Sequence, residues 1–395
     1  MTRRSHYSAA YLTRLLESHA SFSFLRLGDG ELQLMLNAQG QSEKRDKPRL
    51  RPSCELAYGD TGLTLANCER LATSYERCSF VDLYGDLPYN KAHLDRLAWR
   101  RAHNQIDVSS GTTGLLFEWM KNEFRSYIRR HSCIICGAEA ALLEQLVRDP
   151  EYRRLASRFW PEGAQVVFLQ PRNNGANLSR DIDQIKSDIK ETLELNRADT
   201  VFLSLGGAAK ILAFEIARES GVRALDFGSV LRALTFSGSD GHATWRASHH
   251  VHLVRVPFAT YMRALQNAHP DFGPEWLVAK AHAQLCLELQ TIRPFQSVTS
   301  DVSDSSLFDP SKENVKRFKE GLSCYRKIIL PQVRADPAAM GLVKEFRYWR
   351  LKKGLCWDGR LFRLGVRLKS SMRRPYKLAF PWGFRARRVE TRQNT

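Results

Sequence analysis

The chain has 395 residues, long for one domain, with 43 % hydrophobic and 26 % charged residues, the ordinary balance of a globular protein with a sizeable core. No run of roughly 18 apolar residues excludes a spanning helix, and eight scattered cysteines exclude a secreted disulfide framework. Sixty Lys and Arg against 42 acids give a net charge of +18, which points to anionic partners: phosphorylated substrates, nucleic acid or a membrane surface.

In chain order, "MTRRSHYSAAYLTRLLESHA" lacks the apolar core of a signal peptide and reads as a helix, with Tyr11, Leu12, Leu15 and Leu16 on one side. A strand over Phe22 to Leu27 follows, then a helix from Glu31 to about Asn37 and a charged, proline-containing loop. "CSFVDLYGD" predicts a strand and "TTGLLFEWMKNEFRSYIRR" an amphipathic helix, while the order of pieces between 60 and 130 stays open. From Ser132 to Gly228 the pattern is regular. "SCIICG", "AQVVFLQP", "DTVFLSLGG" and "VRALDFG" are short apolar runs alternating with helical periods, the mark of βαβ units and a parallel sheet. Cys133 and Cys136 form a C-x-x-C, but no second pair follows at zinc-finger spacing, so reduced thiols in a strand are expected. Farther on, "SHHVHLVRV" is a candidate strand, with His250 and His252 on one face, and "PEWLVAKAHAQLCLELQ" a helix.

The chemistry concentrates where "FSFLRL" meets Gly28-Asp29-Gly30-Glu31. Ligands of open α/β sheets bind at the carboxyl ends of strands, and these residues occupy such an end, as do Gly206-Gly207 and Gly228. Two carboxylates two residues apart repel unless a cation or proton lies between them, and hard oxygen ligands suit Mg²⁺ or Mn²⁺. The plainer alternative is a helix start, where acids favour the positive end of the dipole.

Arg26-x-Gly28-Asp29-Gly30-Glu31 resembles the R-x-G-D-G-E signature of the GT-D glycosyltransferases, bacterial enzymes with a Rossmann-like fold. "CIICG", "FLQPRNNGAN" and "VFLSLGGAAKILAFEIARESGVRALDFG" are similar to that family's later blocks in order and spacing, so the resemblance covers roughly residues 15 to 240. It implies transfer of a sugar from a nucleoside diphosphate donor, a UDP-sugar foremost, to a glycan or lipid-linked acceptor in cell-surface polysaccharide assembly. It also implies that Asp29 and Glu31 hold Mn²⁺ or Mg²⁺ with the diphosphate, and that Arg26 and Gly28 lie beside the donor. Gly206 and Gly207 would offer backbone N–H groups to it, or form a tight turn; Asn173 and Asn174 would touch it, or cap a helix. Two departures stand out. The family's G-P-T-A reads Gly206-Gly207-Ala208-Ala209, and its G-H-x-D reads Gly228-Ser229-Val230-Leu231, so an expected His and acid are missing. Asp226, or Asp240 with His242, are the remaining candidates for a catalytic base.

The fold class expected is α/β: a Rossmann-like, mostly parallel sheet with helices on both faces, plus a helical, basic C-terminal extension. The expected divisions are a transferase domain over 1–245, a helical extension over 246–340 with a polar linker near 297–314, and a basic, aromatic segment over 341–395. That last segment carries sixteen Lys or Arg against three acids, interleaved with Trp349, Trp357, Phe362, Phe380, Trp382 and Phe384, which suits an anionic membrane surface. Nucleic acid is the weaker partner, because no RRM or KH pattern appears. The expected location is cytoplasmic, peripheral on the inner face of the plasma membrane. Two rival readings remain. One is an NAD(P)-dependent enzyme, since Asp226 follows Gly206 by the interval of a ribose-binding acid, although "GGAAK" lacks the G-x-G-x-x-G spacing. The other is a non-catalytic membrane- or nucleic-acid-binding protein.

Overall fold

The computed structural model describes residues 8–27, 65–84, 105–108, 114–171, 182–228, 230–237, 252–292 and 312–329. Seven strands form one sheet: β1 (Phe22–Leu27), β2 (Phe80–Tyr84), β3 (Gln105–Val108), β4 (Cys133–Gly137), β5 (Val166–Leu169), β6 (Thr200–Ser204) and β7 (Arg223–Asp226). Their order is β3-β2-β1-β7-β6-β4-β5, and every pairing is parallel. The strands read as nearly continuous apolar runs because helices cover both faces, as a parallel sheet requires. The α/β expectation for the sheet therefore holds. β3 fell in the stretch whose order the sequence left open.

The helices are α1 (Ala9–Ser18), α2 (Leu65–Arg77), α3 (Gly114–Asn122), α4 (Phe124–Arg130), α5 (Ala140–Arg148), α6 (Pro150–Leu155), α7 (Ile182–Asn196), α8 (Gly207–Ser220), α9 (Val230–Thr235), α10 (Phe258–Ala268), α11 (Pro274–Ile292) and α12 (Lys312–Cys324). Local chemistry starts several of them. Ser8 caps α1 by accepting from Tyr11 N–H at 3.2 Å. Asp149 caps α6 by accepting from Glu151 and Tyr152 N–H, with Pro150 at the first helical position, where its missing donor goes unneeded.

The two faces of the sheet differ in kind. Leu25, Leu27, Val81, Ile134, Cys136, Val201, Leu203 and Ala224 point to one side and form an aliphatic core with α2, α7 and α8. Arg70 of α2 and Lys186 of α7 both bond Glu215 of α8, at 2.8 Å each, and tie these helices together at the rim. The other side is aromatic: Phe24 stacks on Phe80, and Phe202 on Phe227, beneath Trp119 of α3 and Phe124 of α4. The sequence predicted one helix where α3 and α4 stand. The chain turns at Glu123 instead, and the break lets Trp119, Phe124 and Tyr127 all meet Phe202.

The strand expected around His252 is absent among the described residues there. Leu253 and Val254 N–H both donate to the Ala233 carbonyl at the end of α9, so this backbone is spent on a helix terminus and not on a sheet neighbour. Two compact units emerge. The first comprises Met1–Ser237, His249–Asp271 and Pro294–Asp309, and so reaches past the boundary expected at 245. Its α10 lies along α5, and Arg263 bonds Asp149 at 2.6 Å. The second unit comprises Gly238–Ser248, Phe272–Arg293 and Pro310–Thr395. Within it α11 and α12 pack together, burying Ala281, Leu285, Phe318 and Leu322. The linker near 297–314 falls mainly, and the basic segment over 341–395 wholly, outside the described residues. No described helix is long and apolar enough to cross a membrane.

Candidate active site

The first strand is interior to the sheet, with β2 on one side and β7 on the other. Chains leaving β1 and β7 therefore emerge side by side at the carboxyl edge, where open α/β sheets bind ligands. Arg26 is the last residue but one of β1. Its carbonyl accepts from the Tyr75 hydroxyl of α2 at 2.7 Å, which anchors the backbone just before Gly28. Its guanidinium lies against Gly228, just past β7: a Cβ built on Gly228 would stand 2.1 Å from Arg26 Nη1. Gly228 also has φ +52°, a conformation that costs an L side chain about 1–2 kcal/mol. Gly228→Ala should therefore lose about 2–4 kcal/mol of unfolding free energy, from strain plus displacement of the guanidinium, as read by denaturant titration.

A buried ion pair lies under this edge on one face of the sheet, and a buried carboxylate on the other. On the aliphatic face, Asp226 of β7 is fully buried and its Oδ2 stands 3.1 Å from Lys210 Nζ of α8, itself 6 % exposed. The two meet as charges without hydrogen-bond alignment, while Asp226 Oδ1 accepts the Gly228 N–H at 3.0 Å and Lys210 Nζ donates to the Gly206 carbonyl at 3.0 Å. Lys210 thus joins the turn before α8 to the end of β7. On the aromatic face, Arg26 of β1 and Asp82 of β2 are register partners, one step beyond the stacked Phe24 and Phe80.

Asp82 is 1 % exposed, and among the described residues neither carboxylate oxygen has a hydrogen-bond partner. Burial pushes its pKa up to about 6, the Arg26 charge pulls it down and Asp226 pushes it up again. Neither Asp82 nor Lys210 was singled out from sequence. The signal was present in both cases: one acid inside the apolar run "FVDLY", and one lysine in the largely apolar helix "AAKILAFEIA".

Gly206 takes φ +58° and ψ −131°, a region open essentially to glycine alone, and it starts α8. Gly207 is the first residue of that helix and is buried. Both stand at the carboxyl end of β6, two strands from β1. Gly28, Asp29, Glu31, Asn173, Asn174, Asp240 and His242 lie outside the described residues, as do His249 and His250. No group of three or more His, Cys, Asp or Glu among the described residues is placed to hold a metal. Cys133 and Cys136 are buried free thiols on β4 whose pKa values burial raises, and burial likewise pushes Cys78 up to about 12. Such thiols are inert at neutral pH.

A family model described as a GT-D fold-like domain matches residues 6–234, which takes in all seven strands. No curated protein and no solved structure matches the chain.

Proposed function

The chain belongs to the GT-D-like family, a glycosyltransferase-like fold, and we propose that it transfers a sugar from a nucleoside diphosphate donor to a glycan or lipid-linked acceptor with the help of a divalent metal. The family match over residues 6–234 carries this reading, because it spans the R-x-G-D-G-E sequence that begins at Arg26. Asp29 and Glu31 follow the first strand by two and four residues; their hard oxygen donors suit Mn²⁺ or Mg²⁺, which would neutralise the charge that builds on the departing diphosphate. Arg26, tethered through its backbone and lying against Gly228, is the nearest described cation to that turn in sequence. The start of α8 at Gly206-Gly207 would add the positive end of a helix dipole.

The base is assigned away from Asp226. A carboxylate at 0 % exposure, held by Lys210 and the Gly228 N–H, serves the turn after β7, so Asp240 and His242 are the remaining candidates. The same engagement weakens the nicotinamide reading, which needs Asp226 for a ribose hydroxyl. The basic segment over 341–395 would bring the enzyme to an anionic membrane surface, and so to a lipid-linked acceptor. UDP with Mn²⁺ should raise the melting temperature by several degrees while NADH and NADPH leave it unchanged; the opposite pattern would replace this reading with the nicotinamide one.

A further inference from the structure

With Asp226 engaged, the bases expected from the sequence, Asp240 and His242, both lie outside the described residues. Among the described residues, the turns that leave the strands at the carboxyl edge carry one acid, Glu139, two residues past β4. It stands at the N-cap of α5, where an acid ordinarily bonds the first turn of the helix. Its side chain makes no such bond. Gln170, just past β5, accepts the Ala141 N–H at 3.3 Å in its stead. The Glu139 carboxylate turns instead to α9: Oε1 accepts from Arg232 Nε at 2.9 Å, and among the described residues Oε2 has no hydrogen-bond partner. At 19 % exposure this side chain is enclosed, yet open to a ligand.

Position 231, beside Arg232, is where an acid was expected and a leucine stands. Leu231 is 1 % exposed, and its Cδ1 would lie 2.4 Å from a Cβ built on Gly137, the last residue of β4. The side chain at 231 therefore ends at the tip of β4, and the turn leaving that tip supplies a carboxylate two residues on. We infer that Glu139 is the general base of the transfer and that Arg232 is its positioning residue. The inference rests on the function proposed above. Glu139 Oε2 takes the proton of the acceptor hydroxyl as that oxygen bonds the anomeric carbon of the donor. The bond from this carbon to the β-phosphate oxygen breaks, and the nucleoside diphosphate leaves with the electron pair. Arg232, bonded to Oε1, holds the carboxylate in one orientation while Oε2 works. β6 and β7 separate the tips of β4 and β1, three strand spacings or about 14 Å, a span that a sugar nucleotide laid along the edge can bridge.

The test follows Mn²⁺-dependent release of UDP from UDP-hexoses by the full chain, with calorimetric titration of UDP–Mn²⁺ and thermal melting alongside. Glu139→Gln keeps the shape and the acceptor oxygen for Arg232 but loses the base. It should slow release about 10³-fold and leave UDP–Mn²⁺ affinity within about twofold. Its melting temperature should move by no more than about 2 °C, because a partly exposed ion pair contributes little to stability. Azide has no proton to lose, so it should speed Glu139→Ala about tenfold or more and yield a glycosyl azide, which a merely structural carboxylate would not allow. Arg232→Met should slow the wild type about tenfold and add no further loss to Glu139→Gln. Unchanged release by Glu139→Gln, weakened UDP–Mn²⁺ binding, or azide rescue of Asp240→Ala or His242→Ala in place of Glu139→Ala would each overturn Glu139 as the base. Equal losses from Arg232→Met in both backgrounds would overturn its positioning role. A wild type that neither binds UDP–Mn²⁺ nor releases UDP defeats the proposed function and the base with it, whereas a fully active Glu139→Gln defeats the base alone.

Discussion

Lys210→Met should lower the stability of the protein by about 3–5 kcal/mol, a fall in melting temperature on the order of 10 °C. Lys210 and Asp226 are buried together, 3.1 Å apart, and removing the ammonium leaves a fully buried carboxylate facing an apolar side chain. The loss has a second part. Lys210 Nζ also holds the Gly206 carbonyl in the turn that starts α8, while Asp226 holds the Gly228 N–H after β7. A single lysine therefore braces two of the turns at the carboxyl edge of the sheet. Asp226→Asn in the Lys210→Met background should recover part of the loss, since the penalty comes chiefly from an unmatched charge and not from lost packing. Differential scanning calorimetry of the two singles and the double checks this. A double variant as unstable as the sum of its parts would mean that the two residues act independently.

The second large effect concerns chemistry. Asp29→Ala should reduce Mn²⁺-dependent hydrolysis or transfer from a UDP-sugar about 10³-fold, while changing unfolding free energy by no more than about 0.5 kcal/mol. An acid that holds a cation contributes to the transition state and little to the fold, which here rests on the sheet and its two cores. A large stability loss with unaltered turnover would return Asp29 to the role of a helix-start residue. Its contrast with Lys210→Met, a large loss of stability, separates the chemistry of the edge from the scaffold beneath it.

Much of the architecture was legible in the residues because its signals are local. Parallel strands buried on both faces must be short apolar runs, and "CIICG", "VVFL" and "TVFLS" are such runs, each followed by a turn and a helical period. The R-x-G-D-G-E sequence is likewise contiguous, so adjacent residues suffice to carry the family resemblance. The single helix read over residues 112–130 failed for the opposite reason: its break at Glu123 serves aromatic contacts with Phe202, some eighty residues on. The expected strand at His252 failed because its N–H groups find Ala233, a partner that no period announces.

The sequence by itself determined the alternation of strands and helices and the acidic couple after the first strand. Only tertiary structure decided that β1 lies between β2 and β7, that Asp82 stands opposite Arg26, and that Lys210 reaches Asp226 on the other face. The reason is physical. Propensity, capping and turn chemistry act over a few residues, whereas strand order and register are set by what the two faces of the whole sheet can bury. A charge enclosed by that burial reveals its partner only when the strands are side by side.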